Sequence, residues 1–170
     1  MRRTTRKEID QMEMLALQLD EKSRDDIPPL LRGLQHLFLT SELREQVFAI
    51  LDTMFAPSID RNNGRPGMDL WSIFVMGVLR VNLNWDYDRL QEMVNNHRAI
   101  RHLLGHGVVD DGQRYELQNL KDNVALLTPE LLDRINQVVV NSGHLVVKKK
   151  TNPTVSRAIR RALTQRHQNR

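Results

Sequence analysis

The sequence predicts an all-α fold: a compact multi-helix domain with a helix-turn-helix-like corner, an N-terminal helical extension and a basic C-terminal tail. Apolar residues recur at three- and four-residue spacing along most of the 170 residues, which is the period of a helix face. The period-two alternation that is typical of strands is scarce. Eight glycines and six prolines are few, and 40% apolar with only 5% aromatic residues suits a core of aliphatic side chains.

The N-terminal part is predicted to contain three helices. The first covers residues 7–24, and its stripe consists of Ile9, Met12, Leu15 and Leu19. Two prolines within residues 25–29 are expected to break it, and a short helix over 30–39 is expected to be interrupted at Gly33. Thr40 or Ser41 then caps a helix to about Phe55. Its apolar face is formed by Leu43, Val47, Ile50, Leu51 and Met54.

A buried helix is predicted in the middle of the chain. The stretch APSIDRNNGRPG, residues 56–67, is the clearest loop, and Asp69 caps a helix over residues 70–81. This helix is apolar around nearly its whole circumference, which predicts that it is buried. Gly77 costs about 1 kcal/mol inside a helix relative to Ala, so we expect a close approach of a neighbouring helix there. Asn84 is expected to cap the next helix, residues 85–95, and the two form the corner.

Three more helices are predicted before the tail. One lies within residues 97–106 and ends at Gly105, which is typical of a helix C-terminus. After a turn at 110–112, an amphipathic helix covers residues 116–127. Thr128 followed by Pro129 predicts the start of the last helix, and Gly143 is expected to stop it.

The charge is distributed unevenly. The net charge is +4, but the segment 148–170 contains eight Lys or Arg and no acid, which leaves 17 of the 25 basic residues against all 21 acidic ones. We therefore divide the chain into an extension, residues 1–27, a helical domain, 28–147, and a basic tail, 148–170. A basic tail favours a polyanionic partner such as nucleic acid, and the alternative is a solubilising disordered end.

Several classes of protein are disfavoured by composition. The absence of Cys excludes a disulfide framework and a thiolate metal site, and it fits a reducing cytoplasm. No apolar signal-peptide core follows the basic N-terminus, and the longest apolar runs are too short to cross a membrane. We expect a soluble cytoplasmic protein with no membrane partner.

A metal site is not predicted. His102 and His106 lie four residues apart, a spacing that places two imidazoles on one face of a continuous helix. Gly105 lies between them and ends the helix, and no third ligand follows nearby. We interpret both as solvated or core histidines.

Catalytic patterns are equally weak. Asp86 and Asp88 occupy the first turn of a helix, where carboxylates are favourable because of the helix dipole. Asp110 and Asp111 lie in a turn, where Asp is common. No phosphate-binding glycine loop, nucleophile elbow or Ser-His arrangement is present, so we predict no catalytic residues.

From Arg61 to Val140 the sequence resembles the N-terminal helical domain of DDE-type insertion-sequence transposases, most closely the ISNCY-like group. The resemblance lies in GRPGMDLWSIFVMGVLRVNLNWDYDRLQEMVNNHRAIRHLLGH, YELQNLKDNVALLTPELLDRINQVVV and GHLVVKKK, in the family's order. It implies a domain that contacts the ends of the transposon and helps to pair them. In this family an RNase H-like domain, in which three carboxylates hold divalent metals, carries out catalysis.

The sequence departs from the family after VVKKK, where a first strand with a catalytic Asp would come next. No acidic residue follows Asp133. We therefore expect a truncated or frameshifted transposase that is not an enzyme and has no cofactor, since Mg²⁺ would belong to the missing domain. The tail from about Thr151 is then either out-of-frame sequence or a DNA contact.

We predict DNA at the transposon ends as the partner, with self-association or association with full-length transposase and a nucleoid-associated location. The alternative is a protein-interaction module that inhibits full-length transposase, with the helix over 7–24 as dimer contact, or a nonfunctional remnant. The residues predicted to contact phosphate are basic residues of the helical domain and of the tail, and the alternative for each arginine of the domain is an ordinary solvated side chain. They are Arg61, Arg65, Arg89, Arg98, Arg101, Lys148, Lys149, Lys150, Arg157, Arg160 and Arg161.

Overall fold

The computed structural model shows an all-α protein, as the sequence predicts. It describes residues 2–3, 11–55, 65–107 and 112–150, and it describes side chains within 11–55, 67–107 and 112–143. Within these ranges the helices are α1 (Gln11–Leu15), α2 (Ile27–Leu39), α3 (Ser41–Asp52), α4 (Leu70–Asn82), α5 (Tyr87–Asn96), α6 (Arg98–Leu103), α7 (Leu117–Val124) and α8 (Pro129–Lys150). Two-residue strands, β1 (Arg2–Arg3) and β2 (Arg65–Pro66), pair in parallel.

α4 lies at the centre of the described helices, in contact with α3, α5 and α7. Its residues from Leu70 to Gly77 are all buried, as the uniformly apolar sequence predicts. Asp69 caps it, because the Asp69 carboxylate accepts the Ser72 backbone N–H at 2.9 Å and the Ser72 hydroxyl at 2.7 Å. A close approach occurs at Gly77, as predicted, but Leu127 makes it from the connection between α7 and α8 and not from a neighbouring helix; its Cδ1 lies where a Cβ atom would be.

The N-terminal helix is much shorter than the sequence predicts. Of the predicted residues 7–24, residues 7–10 lie outside the described ranges, and α1 ends at Leu15. A side chain of α2 binds the carbonyls at this end: Gln35 Nε2 donates to the carbonyls of Met14 at 2.8 Å and Leu17 at 3.2 Å. These tertiary hydrogen bonds satisfy groups that a longer helix would have paired internally.

The buried face of α1 also differs from the predicted stripe. Met14 and Leu17 are buried in the core, whereas Met12 and Leu15, which belong to the predicted stripe, are exposed. The shortened helix is therefore turned so that the residues beside the stripe meet the rest of the chain.

α2 starts earlier than predicted. Pro28 and Pro29 occupy its first positions, where a missing N–H costs nothing because those N–H groups have no helical acceptor. Gly33 does not interrupt the helix; it is exposed within it and keeps helical geometry. The next helix, α3, begins at Ser41 as expected, but the Thr40 hydroxyl donates back to the His36 carbonyl at 2.8 Å instead of capping α3.

The corner between α4 and α5 is capped by Asp86, and the prediction of Asn84 as the cap is wrong. Asn84 adopts a left-handed conformation with φ of 51°, and it ends α4. The N–H of Trp85 bonds to the Arg80 carbonyl at 3.0 Å and that of Asn84 to the Val81 carbonyl at 3.4 Å, which is a Schellman arrangement. Asp86 then accepts the Arg89 N–H at 2.7 Å and starts α5 two residues later than predicted.

α8 begins at Pro129 as predicted, with the Thr128 hydroxyl accepting the Leu131 N–H at 3.4 Å. It does not stop at Gly143. A glycine ends a helix by adopting positive φ, and Gly143 is not among the residues that do so, whereas Gly105 has φ of 80° and ends α6 as predicted. The helix therefore continues to Lys150, and its first half packs on α3 through buried Ile135.

Several expectations fall outside the described ranges. They concern most of the loop over 56–67, most of the turn at 110–112, and the tail from Thr151. Among the described helices none is both long enough and apolar enough to cross a lipid bilayer.

Candidate nucleic-acid interface

The corner helices are fixed by one buried tryptophan. Trp71 on α4 is fully buried, and its indole Nε1–H donates to the Leu103 carbonyl at the end of α6 at 2.9 Å. Its ring lies 4.9 Å from that of Phe38 and 5.9 Å from that of Phe74, in tilted geometries. Leu90 on α5 is also fully buried, so α4, α5 and α6 form one rigid support for the exposed arginines.

Arg89 is exposed on the first turn of α5, but it is paired. Its guanidinium donates to the Glu92 carboxylate at 2.7 Å, one helical turn away. Asp86 and Asp88 are exposed beside it. The exposed face of α5 thus has more acid than base, which disfavours contact with a phosphate backbone.

Of the three predicted body contacts whose side chains the structure describes, Arg98 is the one that is both exposed and unpaired. It begins α6, and its guanidinium forms no ion pair or hydrogen bond to any side chain or backbone group that the structure describes. It lines a cleft of about 480 Å³ together with His97, His102 and Gln18, between α6 and the end of α1. The cleft is therefore polar on the α6 side and open to a ligand from solvent.

His97 caps α6 and is neutral near pH 7. Its Nδ1 accepts the Ile100 backbone N–H at 3.4 Å, and only an unprotonated Nδ1 can do so. Burial lowers the pKa of His97 below its ordinary value of 6.5, although the nearby Asp25 carboxylate and a backbone hydrogen bond oppose the shift. His97 therefore contributes a dipole to the cleft and no positive charge at neutral pH.

Arg101 does not reach the surface, and its assignment as a phosphate contact needs correction. It is only 7% exposed, and its guanidinium donates to the Gln113 carbonyl at 3.0 Å. Its position on α6, three residues after Arg98, turns it toward the segment before α7. A buried, hydrogen-bonded guanidinium fixes that segment and is not available to DNA.

The segment before α7 is held at Tyr115 by three further side chains. Asn95 accepts the Tyr115 N–H at 2.8 Å and donates to its carbonyl at 3.0 Å, and Gln91 donates to the same carbonyl at 3.1 Å. The Tyr115 hydroxyl lies 2.7 Å from His106 Nε2, and the two rings meet edge to face. No sequence pattern marked Asn95 and Gln91 as neighbours of Tyr115, because these contacts bridge about 20 positions.

The two histidines considered as metal ligands have separate structural roles. His102 Nε2 lies 2.8 Å from the Glu13 carbonyl of α1, and His106 contacts Tyr115. Within the part of the chain that the structure describes, no group of three or more His, Cys, Asp or Glu side chains is arranged to hold a metal ion.

Arg80 lies at the corner, although the sequence pattern did not single it out. Its guanidinium carbon lies 4.3 Å above the ring of Tyr87, across the α4–α5 corner. Its Nε is buried without a hydrogen-bond partner among the described groups. The only sign of this role in the sequence was a lone basic residue in the last turn of an apolar helix. A basic residue is common at that position because it interacts favourably with the helix dipole.

The remaining predicted contacts are at the two ends of the chain. Lys148, Lys149 and Lys150 form the last residues of α8, continuous with the helix that packs on the body. Arg65 lies in β2, where its backbone pairs with Arg2, and its side chain is not among those described. The other predicted contacts, Arg61, Arg157, Arg160 and Arg161, lie outside the described residues.

No protein-family profile, curated protein or solved structure matches this chain. The assignment of a helical architecture therefore rests on the packing of the described helices. The resemblance to transposase domains remains an expectation from the sequence.

Proposed function

We propose that this chain is a DNA-binding and assembly domain of a transposase, which acts in DNA transposition and is itself without strand-cleaving activity. The sequence resemblance supplies the class of protein, and two features of the structure support a DNA contact. These are the lysines at the end of α8 and the guanidinium of Arg98, which is unpaired among the described residues.

The position of the three lysines is the observation that carries the proposal. α8 rises about 1.5 Å per residue, so Lys148 lies roughly 20 Å beyond Ile135, the buried residue through which the helix packs on the body. Before Lys148 the chain has more acidic than basic residues. The helix therefore holds positive charge away from an acidic body, where a duplex can approach the lysines without approaching the carboxylates.

Arg98 supplies a second contact on the body. An unpaired exposed guanidinium binds a phosphate without first breaking an ion pair, whereas Arg89 would have to leave Glu92. The cleft beside Arg98 also offers His97 and Gln18 as neutral hydrogen-bonding groups. We infer that Arg98 is the main phosphate contact among Arg89, Arg98 and Arg101, the predicted body contacts whose side chains the structure describes.

The test is a filter-binding assay, in which the purified chain retains labelled duplex DNA from the transposon ends. Replacing Lys148, Lys149 and Lys150 together with Gln should abolish most of the retention at physiological salt, because three phosphate contacts are lost. Lys121→Gln is the matched control, since Lys121 is exposed on α7 within the described body. Equal losses in the control and in the triple variant would contradict a specific role for α8.

A second candidate function is inhibition of full-length transposase by protein association. The apolar side chains of Met12 and Leu15 on α1 are 74% and 64% exposed, and exposed apolar groups favour a protein partner. Absent or salt-insensitive binding to end DNA, together with tight association with the full-length enzyme, would favour this function over the first.

A DNA-cleavage assay distinguishes both candidate functions from that of a strand-cleaving enzyme. We expect the purified chain to leave end DNA intact when it is incubated with Mg²⁺. Reproducible nicking that co-purifies with the chain, and that is lost on removal of Mg²⁺ by chelation, would overturn this part of the proposal.

A further inference from the structure

The middle of α8 exposes apolar surface next to an apolar groove. Val139 and Val140 are 38% and 45% exposed, and Val81 on α4 is 56% exposed. Val81 and Val139 both line a groove of about 560 Å³ between α2, α4 and α8, together with Leu30 and Leu132. Of the five large apolar side chains that are exposed among the described residues, two thus line this groove, and a third, Val140, follows Val139 on α8.

The sequence of α8 continues this face from Leu132 to Gly143. Leu132, Asn136, Val139 and Gly143 succeed each other at steps of four, three and four residues, the spacing of a helix-pairing seam. Ten residues of α8 precede Val139 and ten come after Val140. The exposed valines are therefore at the midpoint of the helix.

The charge distribution along α8 is complementary to that of a second α8 that runs in the opposite direction. The acids of this helix, Glu130 and Asp133, lie in its first two turns, and the three lysines form its C-terminal end. Arg134, the one arginine of the helix, points to the body, with its guanidinium 3.5 Å from the Thr53 hydroxyl. An antiparallel partner helix places lysines beside acids, whereas a parallel one places lysines beside lysines.

We propose that two copies of this chain associate through α8, antiparallel, about a twofold axis that passes between Val139 and Val140. In this arrangement Asn136 of one copy faces Gly143 of the other, and the glycine allows the helices to approach closely. Nothing in the described structure occupies the space where a Cβ on Gly143 would lie. The helix dipoles also oppose each other, which favours the antiparallel pair.

This interface differs from the one that the sequence suggested on α1. Because it places the lysines of one copy beside the acids of the other, it competes with DNA for the same lysines, and the association is therefore measured without DNA. A single helix pair with groove edges buries less surface than a permanent dimer, so we expect reversible association at micromolar concentration. Sedimentation velocity of the full chain should show the average mass rising from 19.8 kDa toward twice that value as concentration increases. A chain that stays monomeric over the whole range would overturn the proposal.

Two variants locate the interface. Val140→Glu should return the chain to the monomer at every concentration, while its helical circular dichroism and melting temperature stay near those of the wild type, because Val140 is not in the core. Met12→Glu is the matched control on α1 and should leave association unchanged. Dimer loss in Met12→Glu, with the dimer kept in Val140→Glu, would assign the contact to α1 and contradict the proposal.

Cysteine cross-linking tests the direction of pairing, because the chain has no cysteine of its own. Val140→Cys, next to the axis, should form a disulfide-linked dimer on mild oxidation. Asn136→Cys alone should not, but Asn136→Cys combined with Gly143→Cys should, since these positions face each other only in the antiparallel pair. Efficient cross-linking by Asn136→Cys alone would show a parallel pair and overturn the arrangement.

Discussion

Gly77 of α4 and Leu127 meet so closely that a Cβ atom on Gly77 would overlap Cδ1 of Leu127. Leu127 is 8% exposed and lies just before the start of α8, so this contact ties the central helix to the connection between α7 and α8. The absence of a side chain at Gly77 thus leaves room for Leu127 against the central helix.

We predict that Gly77→Ala gains clearly less stability than the roughly 1 kcal/mol expected from helix propensity, because the Cδ1 methyl of Leu127 must move aside. Gly33→Ala is the control: it lies in α2 with open space around it, so the same exchange should stabilise by up to about 1 kcal/mol. Urea denaturation measures both. If the two substitutions raise the midpoint equally, the close approach at Gly77 does not affect stability.

Trp71 should be the more important of the two tryptophans for stability. Trp71→Phe removes the indole donor and leaves the buried Leu103 carbonyl without it, and we expect a loss of about 1–3 kcal/mol. Trp85→Phe, at a half-buried position, should cost less than about 1 kcal/mol. Thermal melts followed by circular dichroism compare the two, and a larger loss for Trp85→Phe would contradict the described packing.

The two neighbouring arginines of α6 should separate binding from stability. Arg98→Gln should leave the melting temperature unchanged and weaken DNA binding, because the guanidinium has no partner within the described protein. Arg101→Gln should lower the free energy of unfolding by about 1–3 kcal/mol, because a charged donor to the Gln113 carbonyl is lost. A destabilised Arg98→Gln together with a stable Arg101→Gln would reverse the assignment.

The cap at His97 should make stability depend on pH. Because burial lowers the pKa of His97 in the folded protein below its unfolded value of about 6.5, the unfolded chain binds the proton more readily. The contribution of His97 is therefore full above about pH 6.5 and is lost as the pH falls below it. His97→Asn keeps a capping acceptor without titration, so its melting temperature should fall less than that of the wild type between about pH 7 and 5. If the melting temperatures of the variant and the wild type fell equally with pH, His97 would not be the titrating cap.

The sequence predicted the fold class, the buried α4, the Asp69 cap and the helix end at Gly105, because each depends on local periodicity or on one residue type. It failed where tertiary contacts compete with local preference. Gln35 and His102 bind the carbonyls around the end of α1, which no spacing within α1 reveals.

Two glycines and two arginines show the same limit of prediction from the sequence. Gly33 and Gly143 looked like helix ends, but the conformation of a glycine depends on the packing around the helix, and both remain helical. Arg98 and Arg101 looked equivalent in the sequence. They differ because the segment with Gln113, twelve residues after Arg101, folds over α6 and accepts a hydrogen bond from Arg101.

The salt dependence of DNA binding tests the central claim most directly. The logarithm of the association constant, plotted against the logarithm of salt concentration, should be linear for the wild type. Its slope should become shallower by roughly 0.9 for each phosphate contact that is removed when Lys148, Lys149 and Lys150 are replaced with Gln. An unchanged slope in this variant, or binding of the wild type that does not respond to salt, would contradict the proposal that α8 presents its lysines to DNA.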